Sequence, residues 1–359
     1  MTLRRILMTA DTVSGVWTHA LELARGLSAA GIEVMLVVIG PEPSPAQRAE
    51  AIGIPGLVLI VPGLRLAGQD RSGPWNAADR ERLRGLAGAF EADIVHCNGF
   101  REAAAGFPAP VVVVAHPCVR SWWRARRGEQ LPPHRQTDAT EVRSGLDAAS
   151  LLIAPTAAHL REFSAAWGAQ PHTRVIHNGM DLPGADRFRR REAVLAASCV
   201  RHQARSLAAT AAALPWPVWV AGEPAEGRLT GPLRWLGRLD RAELLRVMGE
   251  AAIFAAPAQL EPSGLSILEA AKSGCALVLS DLEGMVELWG DAARFVPPGD
   301  SEALRRTLQE LADDRATLRE FQMAARDRAQ RFSRSAMVSG YLRAYRSLSP
   351  SAAPRVRAA

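Results

Sequence analysis

AAIFAAPAQLEPSGLSILEAAKSGCALVLSD (residues 251–281) reads as strand, loop, helix and strand in that order. The apolar run at its start and the one at 276–280 have strand length, and the stretch between them has helix-forming composition. Two carboxylates, Glu261 and Glu269, stand on either side of a Pro-Ser-Gly turn at the helix start, where backbone N–H groups already favour an anion.

The same alternation runs through the chain. RILMTA (5–10), IEVMLVVI (32–39), LVLIV (57–61), DIVHCN (93–98), PVVVVAH (110–116) and SLLIAP (150–155) are separated by helical patterns. AVLAAS (193–198), PVWVAG (217–222), LRWLG (233–237), AAIFAAP, ALVLS and ARFVP (293–297) repeat it. Short apolar strands alternating with helices predict parallel sheets covered on both faces, here two doubly wound α/β domains. Such sheets bind ligands at the C-terminal edges of their strands, and two domains facing each other form a cleft. A length of 359 residues agrees with roughly two domains of about 150 residues. GMDLPGADRFRRRE (179–192) is polar and aperiodic and reads as the linker. Beyond Pro298, Leu304, Leu308 and Leu311 recur at helical spacing behind Asp300 and Ser301 as caps. The expected division is 1–178, then 179–335, then 336–359 as a helix returning to the first domain with a frayed tail.

Composition narrows the function. Apolar residues at 48% and charged residues at 22% describe a globular chain, and no apolar run reaches the roughly 18 residues of a membrane span. Asp11 interrupts the apolar N-terminus before it could act as a signal peptide, and the four cysteines lack paired spacing, so a reduced cytoplasmic setting without zinc is expected. A net charge of +6, almost all arginine because Lys272 is the only lysine, favours phosphate-rich ligands or anionic headgroups. No nucleic-acid-reading motif is present, so no nucleic-acid partner is expected.

At the helix start, Ser263 is the expected cap, and the N–H groups of Gly264, Leu265 and Ser266 point out of the first turn. A diphosphate suits those donors, but neighbouring carboxylates repel it unless they are bonded to something else. Neutral hydroxyls solve this. A ligand with a polyol at each end and phosphates between them lets Glu261 and Glu269 each accept charge-assisted bonds worth about 1.5–3 kcal/mol. That ligand is a nucleotide sugar; the plainer reading is a capped helix with a solvated glutamate. TADTVSGVWTHALELARGLSAAG (9–31) reads as a strand end, a turn at Ser14 and Gly15, and a helix with Val16, Ala20, Leu23, Ala24 and Leu27 on one stripe. Gly15 either closes a tight turn or lets the backbone approach a phosphate. Asn178, in VIHNGMD, follows a strand as a turn residue. CVRSWWRARRGEQLPPHR (118–135) sets Trp122 and Trp123 among Arg120, Arg124, Arg126 and Arg127. It is either an amphipathic helix with solvated arginines or an aromatic and cationic platform for sugars or headgroups.

GVWTHALELARGLSAAG, HNGMD, LGRLDRAELLRVMGEAAIFAAPAQLEPSGLSILEAAKSGCALVLSD and VPPGDSEAL, which span nearly the whole chain, resemble the retaining glycosyltransferases of family 4. Two glutamates separated by seven residues are that family's hallmark, and Glu261 and Glu269 match them. The resemblance implies the GT-B fold, two Rossmann-like domains facing each other, with the first binding the acceptor and the second the donor. It implies a hexose-like sugar moved from a nucleoside diphosphate to an acceptor hydroxyl with retention, and no divalent metal or other cofactor. Glu261 would lie at the transferred sugar and Glu269 at the ribose diol. Gly264 and Leu265 would offer N–H groups, Gly15 would approach the diphosphate, Asn178 would stand with the donor residues, and His116 would line the acceptor side. The family's diphosphate-binding Arg falls on Cys199 and its Lys on Arg205; Arg201, four residues before Arg205, shares a helical face with it and is the expected substitute. Ser14 stands where many relatives have a glycine.

The acceptor implied is a carbohydrate, a lipid-linked glycan or a small molecule, and a peripheral membrane contact is compatible with the basic surface. Two rivals are a nucleotide-sugar binder without turnover, for which Cys199 speaks, and a sugar-nucleotide epimerase.

Overall fold

The structure is a computed structural model that describes residues 3–66, 75–116, 120, 123, 136–182, 189–197, 201–223, 232–261 and 264–348, without the side chains of residues 136–138, 201 and 202. The chain divides into two compact units, Met1–Gly179 with Arg334–Ala359, and Met180–Ser333.

The first unit holds β1 (Arg5–Ala10), β2 (Glu33–Ile39), β3 (Leu57–Leu64), β4 (Ile94–Cys97), β5 (Val111–Val114), β6 (Leu151–Ala154) and β7 (Thr173–Val175). They form one parallel sheet of order β3-β2-β1-β4-β5-β6-β7. The order reverses between β1 and β4, the place where such a sheet opens a crevice for a ligand. Both faces are buried, which is why the strands read as continuous apolar runs. Ile6, Met8, Val34, Leu36 and Val112 pack on one face and Leu7, Val37, Val95 and Val113 on the other. β7 carries the partly exposed residues Thr173, Arg174 and Val175, and it was not anticipated from the sequence because no apolar run marks it.

The helix Val16–Ala29 buries the stripe Val16, Ala20, Leu23, Ala24 and Leu27. Against it lies the helix Arg334–Leu348, where Val338 occupies the space that a Cβ on Gly26 would need. Tyr341 and Tyr345 of that helix are buried in the core of this unit.

The second unit holds β8 (Arg191–Ala197), β9 (Val218–Ala221), β10 (Leu233–Trp235), β11 (Ala251–Ala256), β12 (Ala276–Ser280) and β13 (Arg294–Val296). Their parallel order is β10-β9-β8-β11-β12-β13, with its reversal between β8 and β11. The sequence stretch read as a linker, 179–192, is structured at both ends. Met180 is fully buried in the second unit's core, Arg190 donates to the carbonyls of Ala251 and Ser273, and β8 begins at Arg191. The guanidinium of Arg190 anchors to two backbone oxygens, a contact that composition does not reveal.

The helical sequence after Pro298 forms separate helices. Asp300 caps Ser301–Asp313, accepting from the N–H groups of Glu302 and Ala303, and Leu304, Leu308 and Leu311 are buried. Asp314 ends that helix and caps Arg315–Ala329, its carboxylate accepting from Ala316 and Thr317. Among the described residues, no helix is long and apolar enough to cross a membrane.

Candidate active site

In the second unit, β11 delivers Glu261 to the C-terminal edge beside the strand-order reversal. The helix Leu265–Lys272 begins there, and its N-cap is Gly264 at φ 60° and ψ 29°. This left-handed conformation suits glycine. The expected cap, Ser263, lies outside the described residues; among those described, Glu261 Oε1 accepts the Gly264 N–H at 2.8 Å. The Gly264 amide donates to this carboxylate, where the resemblance implies that it serves the donor. This carboxylate, three residues before the amide, satisfies an N–H that the helix cannot. The N–H groups of Leu265 and Ser266, in the first turn, have no acceptor within the helix by its geometry.

Glu269, one turn further along, is buried, with its side chain only 8% exposed. Its Oε1 lies 3.0 Å from Arg241 Nη1. Arg241 opens the helix Arg241–Glu250, whose start is set by a capping box between Asp240 and Glu243. The loop leading there is pinned where Gly222 N–H donates to Gly237 O at 2.9 Å, both glycines having positive φ. Arg205 is exposed on the helix Arg201–Ala211, which begins beyond the end of β8.

In the first unit, the turn after β1 is organised by Asp11. Its carboxylate accepts from the N–H groups of Val13 and Ser14 and from the Ser14 hydroxyl, at 2.8–2.9 Å. Gly15 is the N-cap of Val16–Ala29 at φ −61° and ψ −9°, a conformation open to any residue, so the glycine is not required there by backbone dihedrals.

Around the reversal between β1 and β4 sits a chain of polar side chains, of which Asn98, His96 and His19 are buried and His116 half-buried. Asn98 Nδ2 donates to Thr9 O at 2.8 Å, and since a carbonyl can only accept, Asn98 Oδ1 is fixed as an acceptor. His116 Nε2 at 2.9 Å and His96 Nε2 at 3.4 Å must then both donate to that oxygen. The tautomer leaves His96 Nδ1 as the acceptor for the Tyr345 hydroxyl at 2.6 Å. His116 likewise keeps an unprotonated Nδ1. His19 adds contacts to Tyr341 at 3.4 Å and to the Asn178 side chain.

Burial keeps these imidazoles neutral. It lowers His19 to about 4, and burial with the nearby His19 lowers His96 to about 3. His116 is held well below the ordinary imidazole range, by burial first and then by the neighbouring histidines. Next to this cluster, on the short helix Phe100–Ala103, burial raises the Glu102 carboxyl to about 7.

The sequence model of Glycosyltransferase Family 4 matches residues 13–183, and that of Glycosyl transferases group 1 matches residues 226–328. The chain is 24% identical, over 380 aligned positions covering 94% of it and 92% of the relative, to a phosphatidyl-myo-inositol mannosyltransferase of Mycolicibacterium smegmatis. Together with the two parallel sheets, these matches settle the family. The chain is a family 4, group 1 glycosyltransferase. Its fold is GT-B, as in sucrose-phosphate synthase from Thermosynechococcus elongatus, with TM-score 0.74 at 17% identity, covering 96% of this chain and 99% of that one. Anabaena HepE, solved in complex with UDP and glucose, superposes with TM-score 0.73 at 18% identity, covering 97% of this chain and all of that one, 100%.

In this glycosyltransferase the structure joins Glu261 to Gly264, and His116 to Asn98. It also joins Glu269 to Arg241, which nothing in the sequence singles out beyond its place directly after a helix-capping Asp. Arg120 donates to Ala166 O at 2.7 Å and its guanidinium lies 4.1 Å from the Trp167 ring centroid, so it is engaged in packing within the first unit. Trp123 is half-buried. Trp122, Cys199, Arg124, Arg126 and Arg127 lie outside the described residues, as does the side chain of Arg201.

Proposed function

We propose that this glycosyltransferase moves a hexose-like sugar from a nucleoside diphosphate sugar to an acceptor hydroxyl with retention of configuration. The observation that carries the reading is the placement of Glu261 and Glu269 at the C-terminal edge of one sheet, beside its strand-order reversal, flanking the first turn of a helix. Glu269 takes the ribose diol and Glu261 the hydroxyls of the transferred sugar, while the Leu265 and Ser266 amides face the diphosphate. The acceptor oxygen attacks the anomeric carbon from the face that the diphosphate leaves. The C–O bond to phosphate breaks, and the hydroxyl proton passes to a diphosphate oxygen.

Catalysis then rests on stabilising charge on the departing diphosphate, with Arg205 and Arg201 as the cations and no divalent metal. The first unit holds the acceptor. His116, neutral and donating to Asn98 through Nε2, offers its Nδ1 lone pair to an acceptor hydroxyl without becoming charged. The bound UDP and glucose of HepE and the inositol lipid acceptor named for the mycobacterial relative agree with this kind of donor and acceptor.

The test is a panel of UDP-, GDP- and ADP-sugars incubated with the protein, with nucleoside diphosphate release read by mass spectrometry and product anomeric configuration by NMR. Release from one donor class, with the anomeric configuration preserved, is expected. Binding without release, isomerised donor, or an inverted product contradicts the reading.

A further inference from the structure

The charge of Glu269 raises a problem that its neighbour answers. A carboxylate with a side chain 8% exposed is held away from water, where an unbalanced charge is strongly unfavourable. It would also repel an anionic diphosphate bound on the same helix. We propose that Arg241 is a positioning residue for donor binding: its guanidinium fixes the Glu269 carboxylate for a ribose diol and balances its charge. The inference rests on the donor reading given above.

Three observations support it. The contact, Nη1 to Oε1 at 3.0 Å, engages one carboxylate oxygen and restricts how the group can turn. Arg241 is itself placed by two separate devices. The capping box of Asp240 and Glu243 sets the first residue of its helix, and the Gly222–Gly237 bridge sets the course of the loop before it. Finally, Arg241 begins a helix entered from the C-terminal end of β10, so it reaches Glu269 at the sheet edge where the donor is expected and not deep in the core. A purely structural ion pair would hold two helices together. A positioning pair must also govern how strongly the protein distinguishes a ribose with its hydroxyls from one without them.

That distinction can be measured. Wild-type protein, Arg241→Gln, Arg241→Lys and Glu269→Gln are titrated by calorimetry with UDP, GDP and ADP, and then with the 2′,3′-dideoxy form of whichever binds. Wild type is expected to prefer the ribose form by about tenfold, the scale of one charge-assisted hydrogen bond. Arg241→Gln is expected to reduce that preference below about threefold and to raise the donor KM about tenfold, with kcat changed less than about threefold. Arg241→Lys restores the charge and a single donor, and is expected to retain most of the preference. If Arg241→Gln binds with the full wild-type preference, the inference is overturned while the donor reading stands. If wild type binds none of the three diphosphates, or Glu269→Gln keeps the preference, the donor reading itself fails. Should Arg241→Gln not fold, Arg241→Met takes its place: a folded Met variant that keeps the full wild-type preference overturns the inference, and one that loses it while Arg241→Lys retains most of it supports it.

Discussion

Glu261 has two duties that one substitution separates. Its Oε1 accepts the Gly264 N–H, and its charge faces the donor sugar in the proposed reaction. Glu261→Gln keeps an oxygen acceptor for that amide while removing the charge. The thermal midpoint should therefore stay within about 2 °C of wild type, while kcat falls about 100-fold, the scale of losing one preorganised electrostatic contact. Differential scanning calorimetry and initial rates check both parts. A large fall in midpoint with unchanged kcat would make Glu261 a capping residue and nothing more. The two glutamates stand out in the sequence through the resemblance to family 4, since their spacing alone reads as a capped helix with a solvated glutamate. Arg241 could not, because an arginine following a capping aspartate reads as an ordinary solvated first turn, and only the fold brings it to Glu269.

Helix contacts in the first unit turn on glycine. Gly145, in the helix Gln136–Ala148, approaches the helix Phe100–Ala103 so closely that a Cβ would overlap the Phe100 carbonyl oxygen. The same pair of helices is joined by a buried ion pair, Arg101 Nε donating to Glu141 Oε2 at 2.8 Å. Backbone cannot step aside as a side chain can. Gly145→Ala should therefore destabilise the protein by about 2–4 kcal/mol, while the neighbouring exposed Ser144→Ala changes stability by less than about 0.5 kcal/mol. Urea midpoints of the two variants test this; equal midpoints would show that the helices separate freely. Strands were legible wherever both faces are buried, since the apolar runs of β1, β2, β5 and β12 are unbroken. β7 escaped because Thr173, Arg174 and Val175 form no apolar run. Asp314, which divides the C-terminal helices, reads in the sequence as one more charged helix residue, and only its hydrogen bonds to Ala316 and Thr317 reveal a cap.

For the whole molecule, buried titratable groups of the first unit contribute a pH dependence of stability. The unfolded imidazoles of His19 and His96 take up protons below about 6.5, but in the fold they do so only near about 4 and about 3. Their contribution is complete above 6.5 and is lost as pH falls through that window, by up to about 1.4 kcal/mol per pH unit for each group. Glu102 acts in the opposite sense. Its unfolded carboxyl ionises near 4.5 and its folded one near about 7, so its contribution is lost as pH rises between those values. Urea unfolding from pH 4 to 8 should show wild type losing stability toward acid, and Glu102→Gln gaining on wild type as pH rises from 4.5 to 7. A constant difference between the two across that range would refute the assignment. The histidine cluster illustrates what a sequence withholds: His96 and Tyr345 are 249 residues apart, and only the return of the last helix to the first unit makes them partners. The two-domain α/β plan, by contrast, follows from local strand and helix patterns repeated along the chain.

The proposed function requires Glu261 and Glu269 to grip the two ends of one nucleotide sugar. It is tested most directly by a crystal structure of the protein with a donor that the activity panel identifies. Glu269 is expected within hydrogen-bond distance of both ribose hydroxyls, Glu261 at a hydroxyl of the sugar, and the diphosphate at the Leu265 and Ser266 amides. A donor bound with both carboxylates out of reach of any of its hydroxyls would contradict it.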